Sequence, residues 1–161
     1  MITIEGRKYV PAYLLTILRV YLGVILLYTV IGKLFADTPF VDEMTAYLKL
    51  VMDRGRPPGF YRGFLLSVVV PHAKMFSYLV MTGELFAGIG LLTGTCTRLS
   101  AFIAAILFLN YMWSKGRWFW SPDSEDAAVF FIAVVLIPGR AGRLFGVDQL
   151  LAKRWPNGVL W

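Results

Sequence analysis

Four side chains able to do chemistry stand inside otherwise apolar runs of this 161-residue sequence: Arg19, Lys33, Glu84 and Asn110. An isolated charge in hydrocarbon costs about 2.5 kcal/mol or more, so an ionisable residue there marks either a partner or a function. Arg19 lies near the start of the apolar run 12–35, and Glu84 lies in the run 75–92. If the two runs are antiparallel helices, a rise of about 1.5 Å per residue puts both groups roughly 10–12 Å from the same membrane boundary. That placement predicts an Arg19–Glu84 pair, which can polarise or protonate a bound head group. The same pair serves equally as a buried salt bridge that fixes helix packing. Lys33 falls on the same helical stripe as Arg19 and level with Glu125 and Asp126, which predicts a second charge cluster; the alternative is a lysine reaching the headgroups. Asn110 can hydrogen-bond across helices.

Other chemistries are excluded by what is scarce. The single cysteine, Cys96, excludes an internal disulfide, a paired-thiol redox motif and a cysteine-built metal site. The single histidine, His72, cannot supply two haem ligands, so haem or iron–sulfur chemistry would sit in a partner chain. No metal or covalently held cofactor is expected. Cys96 reads as a turn residue and His72 as an interfacial one. The net charge of +6 comes from bases flanking apolar runs, which argues for membrane topology and against nucleic acid.

The elements that must position these groups follow from a composition that is 58% hydrophobic and only 16% charged. That balance needs lipid to cover it. The expected fold is all-α: one integral membrane domain, a four-helix bundle with spans at about 12–35, 75–92, 99–113 and 124–140. The run 12–35 is too long for the core of a cleaved signal. Residues 36–74 form an outer insertion mixing acids, bases and the breaker GRPPG. Within it, Phe40, Met44, Tyr47, Leu48 and Val51 recur at helical spacing and predict a surface-lying amphipathic helix over 40–54. The run 64–70, stopped by Pro71, is too short to span and predicts a re-entrant or interfacial helix. Trp113, Trp118, Phe119 and Trp120 form an interfacial belt. With both termini cytoplasmic, the inner segments hold Arg7, Lys8, Arg98, Arg140, Arg143, Lys153 and Arg154 against only Glu5 and Asp148, whereas bases and acids nearly balance outside.

Three stretches then resemble a known family. LRVYLGVILLYTVIGKL at 18–34, GELFAGIGLLTGTCTRLSAFIAAILFL at 83–109 and PGRAGRLFGVDQLL at 138–151 are similar to the DoxX-like four-helix membrane proteins. The matching features are Arg19, Gly32-Lys33, Gly83-Glu84, Thr97-Arg98 and the ending from Gly142 to Asp148. The family is related to the DoxD subunit of thiosulfate:quinone oxidoreductase. The resemblance therefore implies a subunit of a larger respiratory or photosynthetic redox complex in the bacterial cytoplasmic membrane, contacting lipid, other membrane subunits and a quinone. Its alternative is a quinone-reducing subunit with its own site, for which Arg19, Glu84, Lys33 and Asn110 are the candidate quinone-facing residues. The resemblance leaves open whether the chain is itself an enzyme. A small transporter is the third possibility, although no repeated halves or broken helices are visible.

Overall fold

A computed structural model describes residues 12–54 and 57–155, together with residues 3, 4, 7, 8, 158 and 160. Helices α1 (Ala12–Leu34), α4 (Ala73–Thr93), α5 (Thr97–Ser114) and α6 (Glu125–Gly139) are its long elements. Between the first two lie α2 (Phe40–Arg54) and α3 (Gly59–Phe64), and α7 (Asp148–Arg154) follows the last. The all-α expectation holds for these elements. The exception among the described residues is a two-residue antiparallel pairing, Thr3 with Lys8 and Ile4 with Arg7.

The four long helices pack in a ring, α1 on α4, α4 on α5, α5 on α6 and α6 back on α1. Small residues set the closest approach. A Cβ at Gly23 would stand 2.8 Å from the backbone nitrogen of Leu92, and one at Gly88 would stand 2.9 Å from the side chain of Leu27. Glycine is needed there because the helix backbones nearly touch. Leu22, Leu26, Ala87, Leu91, Ala101, Ala104, Ala133 and Leu136 fill the space the ring encloses. The outside is apolar too: Ile17, Val24, Ile31, Phe86, Ile89, Phe102 and Val135 are exposed, while Arg19, Glu84 and Asp148 are buried. Water does not select that distribution, and lipid does. Two stretches, Tyr13–Leu34 and Gly59–Thr93, are long and apolar enough to cross a membrane.

Local signals explain the helix ends. The Ser124 side chain accepts a hydrogen bond from the Ala127 amide at 3.3 Å, and Glu125 and Asp126 occupy the first turn of α6. Gly94 terminates α4 with a left-handed φ of 72°.

The insertion departs from expectation in one respect. Helix α2 has the expected bounds, but the expected short helix at 64–70 is neither separate nor that short. Helical structure begins at Gly59, passes through a π-helical segment (Leu65–Val69) and a 3-10 turn (Val70–His72), and leads directly into α4. Pro71 does not end it, because a proline in a first turn surrenders no helical hydrogen bond. The path is bent all the same. Phe64 and Phe76 meet at 6.2 Å between ring centres, whereas twelve residues of straight helix would rise about 18 Å. His72, at φ −119° and ψ 29°, is where the backbone leaves helical geometry. Gly55 and Arg56 of the breaker lie outside the described residues.

Candidate functional site

The sequence-derived pair does not form. Arg19 and Glu84 lie at different levels of the α1–α4 interface and take different partners. The register shows why: Gly23 faces Leu92 and Leu27 faces Gly88, so one turn before Gly23 lies level with Gly94, and one turn before Gly88 lies level with the end of α1. The ten residues from Glu84 to Gly94 separate those levels by about 15 Å. Equal depth follows only if both helices enter the membrane at Ala12 and Leu92, and the glycine contacts set a different register.

At the deeper level, the Lys33 ammonium donates to Glu84 Oε1 at 2.6 Å, and the Tyr111 hydroxyl donates to the same oxygen at 2.6 Å. Glu84 is fully buried, and its second oxygen, Oε2, has no hydrogen-bond partner. Lys33 also stands 4.6 Å from the centre of the Phe40 ring and 5.5 Å from that of Tyr111. A buried carboxylate is tolerable here because it meets both an opposite charge and a neutral donor. The expected cluster of Lys33 with Glu125 and Asp126 is likewise corrected. Asp126 accepts from Lys115 at 2.7 Å, which leaves Lys33 to Glu84.

Lys33, Tyr111 and Lys115 open onto a cavity of about 930 Å³ between α1, α2, α3, α4 and α5. Its walls are mostly apolar or aromatic, with Phe40, Met44, Tyr47, Tyr61, Phe64 and Phe86 prominent. Asn110 lines it as well, but its groups are engaged: Nδ2 donates to the Ile106 carbonyl at 2.7 Å and Oδ1 accepts from Tyr61 at 3.0 Å. Tyr47 and Ser114 are bonded at 3.1 Å. Two hydrogen bonds thus tie α2 and α3 across the cavity to α5, and a separate small core of Leu48, Val51, Tyr61, Leu65 and Val69 stiffens that wall.

Arg19 lines no part of this cavity. It donates to the Phe145 carbonyl at 2.6 Å and the Ala141 carbonyl at 3.3 Å. Beside it, buried Asp148 accepts from the backbone amides of Cys96 at 2.7 Å and Thr97 at 2.9 Å. Cys96, at φ 46°, precedes helix α5 in the N-cap position without capping it through its side chain, so Asp148 supplies the cap from α7. Gly94, Gly142 and Gly146 press against Arg19, Thr97 and Asp148, with no room for a Cβ. Burial, and secondly Asp148, push the Cys96 thiol above its ordinary pKa. Among the described residues no group of three acidic, histidine or cysteine side chains could hold a metal ion.

Of the four candidates, the structure brings Lys33, Glu84 and Asn110 to one region and sends Arg19 to another. Tyr111 was missed by sequence reasoning, although a phenol beside Asn110 in an apolar span was a usable signal. Asp148 was recognised as part of a motif but not as a cap, because its partners are backbone amides some fifty residues away.

No curated protein and no solved structure matches the chain. The DoxX family model matches residues 14–116, more than half of the sequence, and takes in Lys33, Glu84, Asn110 and Tyr111 with the helices that carry them. Together with the apolar exterior, that match shows that the chain is a membrane protein belonging to the DoxX family.

Proposed function

We propose that this chain is a membrane subunit of a bacterial redox complex and that it holds a quinone in the cavity beside Lys33, Glu84 and Tyr111. The cavity carries this reading. At about 930 Å³ it matches the upper range of small-molecule sites, roughly 300–1,000 Å³, and it is apolar with a few polar groups at one edge. Those residues fit the group. The Lys33 ammonium retains N–H bonds beyond the one given to Glu84 and would hold a carbonyl oxygen, while the aromatic walls would flank the ring. Glu84, behind the wall, holds the lysine in place, and the Tyr111 hydroxyl, which lines the cavity, donates to the same carboxylate oxygen. A bound quinone supplies two-electron, two-proton carrier chemistry. A partner subunit would supply the electrons, since one cysteine and one histidine cannot hold an iron–sulfur cluster or a bis-histidine haem.

In the same reading α1, α4, α5 and α6 all cross the bacterial cytoplasmic membrane, with both termini on the cytoplasmic side and α2 and α3 toward the opposite face. The shortness of α6, about 22 Å, is offset by the polar residues at its ends. Arg19 plays no part in the quinone site and serves the inner end of the bundle. The test is purification from native membranes followed by organic extraction. The expected result is a co-purifying quinone in an assembly that contains a redox-active partner. A pure chain with neither quinone nor such a partner overturns the proposal.

A further inference from the structure

The charged side chains lining the cavity are Lys33, Glu43 and Lys115. Two are lysines, and a cavity with two free ammonium groups at its edge would be a trap for fatty acids and anionic phospholipids, the amphiphiles that surround a membrane protein. Neither lysine is free. Glu84 Oε1 lies 2.6 Å from Lys33 and Asp126 Oδ2 lies 2.7 Å from Lys115. Both carboxylates come from behind the wall: neither Glu84 nor Asp126 lines the cavity, and both are buried. Glu43, the one acid that does line it, accepts from Thr38 at 2.7 Å. Counted with these two partners, the charged groups around the cavity carry no net positive charge, although both lysines still line the space. A charge neutralised by a contact partner loses most of its attraction for a third charge, while its remaining hydrogens still donate.

We infer that Glu84 and Asp126 are specificity-determining residues, which cancel Lys33 and Lys115 so that the cavity selects an amphiphile with a neutral, hydrogen-bond-accepting head group and rejects anionic lipids. This rests on reading the cavity as a ligand site and deepens it, because a quinone belongs to the accepted class and anionic lipids do not.

Trp113 gives the readout, because it packs on Tyr61 of the cavity wall with ring centres 5.7 Å apart. Decylubiquinone and a dibrominated fatty acid both quench tryptophan, and the share due to Trp113 is found by difference from Trp113→Phe. In vesicles of neutral phosphatidylcholine, the unmodified chain should bind decylubiquinone at least about tenfold more tightly than the fatty acid, a difference of about 1.4 kcal/mol. Glu84→Gln frees Lys33 and should strengthen fatty-acid binding at least tenfold, raising the ratio of fatty-acid to quinone affinity. Asp126→Asn frees Lys115 and should act in the same direction, so the test survives if Glu84→Gln fails to fold. The double change Lys33→Gln/Glu84→Gln should gain no fatty-acid binding. Equal binding of both probes by the unmodified chain, or no gain in either single variant, overturns the inference while quinone binding can still stand. A gain of fatty-acid binding in a chain that never binds decylubiquinone keeps the charge selection and removes the quinone reading.

Discussion

Asp148 shows how much one buried side chain can hold. It receives two charge-assisted hydrogen bonds from the start of α5 and sits against the glycine turn that Arg19 enters from α1, so three elements meet on it. Hydrogen bonds to a charged group are worth about 1.5–3 kcal/mol each. Asp148→Ala should therefore lower stability in detergent by about 3 kcal/mol or more, measured by denaturant unfolding. Asp148→Asn gives a second, independent reading. The Cys96 thiol stands above its ordinary value chiefly through burial and secondly through the Asp148 charge, so removing that charge lowers its pKa without restoring the ordinary one. The pH midpoint of Cys96 alkylation should shift downward; an unchanged midpoint would mean that the carboxylate does not act on the thiol. At this scale the sequence was only half legible. The types Arg19, Lys33, Glu84 and Asn110 announced themselves because charge and amide in an apolar run are expensive. Their pairing did not, because it depends on helix register, and a shift of two or three turns exchanges one partner for another.

Register is a property of elements, and at the α1–α4 contact it is set by the absence of side chains. Gly23 lies against the Leu92 backbone, so Gly23→Ala forces the helices apart and should cost about 1–3 kcal/mol. Gly32, nine residues later on the same helix, has nothing within 4 Å of the position a Cβ would take. Gly32→Ala should be neutral or stabilising by about 0.5–1 kcal/mol through helix propensity alone. Thermal unfolding of the two variants side by side checks the contrast, and equal effects would remove the close-packing account. The positions of α1, α2, α4, α5 and α6 were readable because each carries a sustained hydrophobic pattern between breakers. The region 59–72 was not, since Pro71 reads as a stop and the π-helical segment before it has no sequence signature. What was expected as a detached interfacial helix is a bent continuation of α4, and the bend is what lets α3 reach back to Asn110 and Trp113 and close one wall of the cavity.

The whole molecule has two chemically different ends. One gathers Arg19, the Gly94–Cys96 turn, Asp148 and the carbonyl of Leu160, which accepts from the Arg98 amide at 3.2 Å. The other gathers the Lys115–Asp126 pair and the stacked, exposed rings of Trp118 and Trp120. The first end is rich in bases, with Arg140, Arg143, Lys153 and Arg154 beside few acids. The second mixes both signs and carries the aromatic pair suited to a headgroup layer. If all four long helices cross the bilayer, these ends must lie on opposite faces, and the positive-inside rule assigns the first to the cytoplasm. Single cysteines at Ser121 and Lys153, introduced after Cys96→Ala, mark one end each. In sealed vesicles of known sidedness, an impermeant maleimide should label Ser121→Cys from the non-cytoplasmic face and Lys153→Cys only after permeabilisation. The reverse pattern would keep the four-span bundle and invert its orientation. Labelling of both from one face would break the bundle itself, because the path from α5 through the Trp118–Trp120 loop to α6 and α7 would then not cross the membrane. The cavity would in that case open toward water and lose the argument for a lipid-borne ligand.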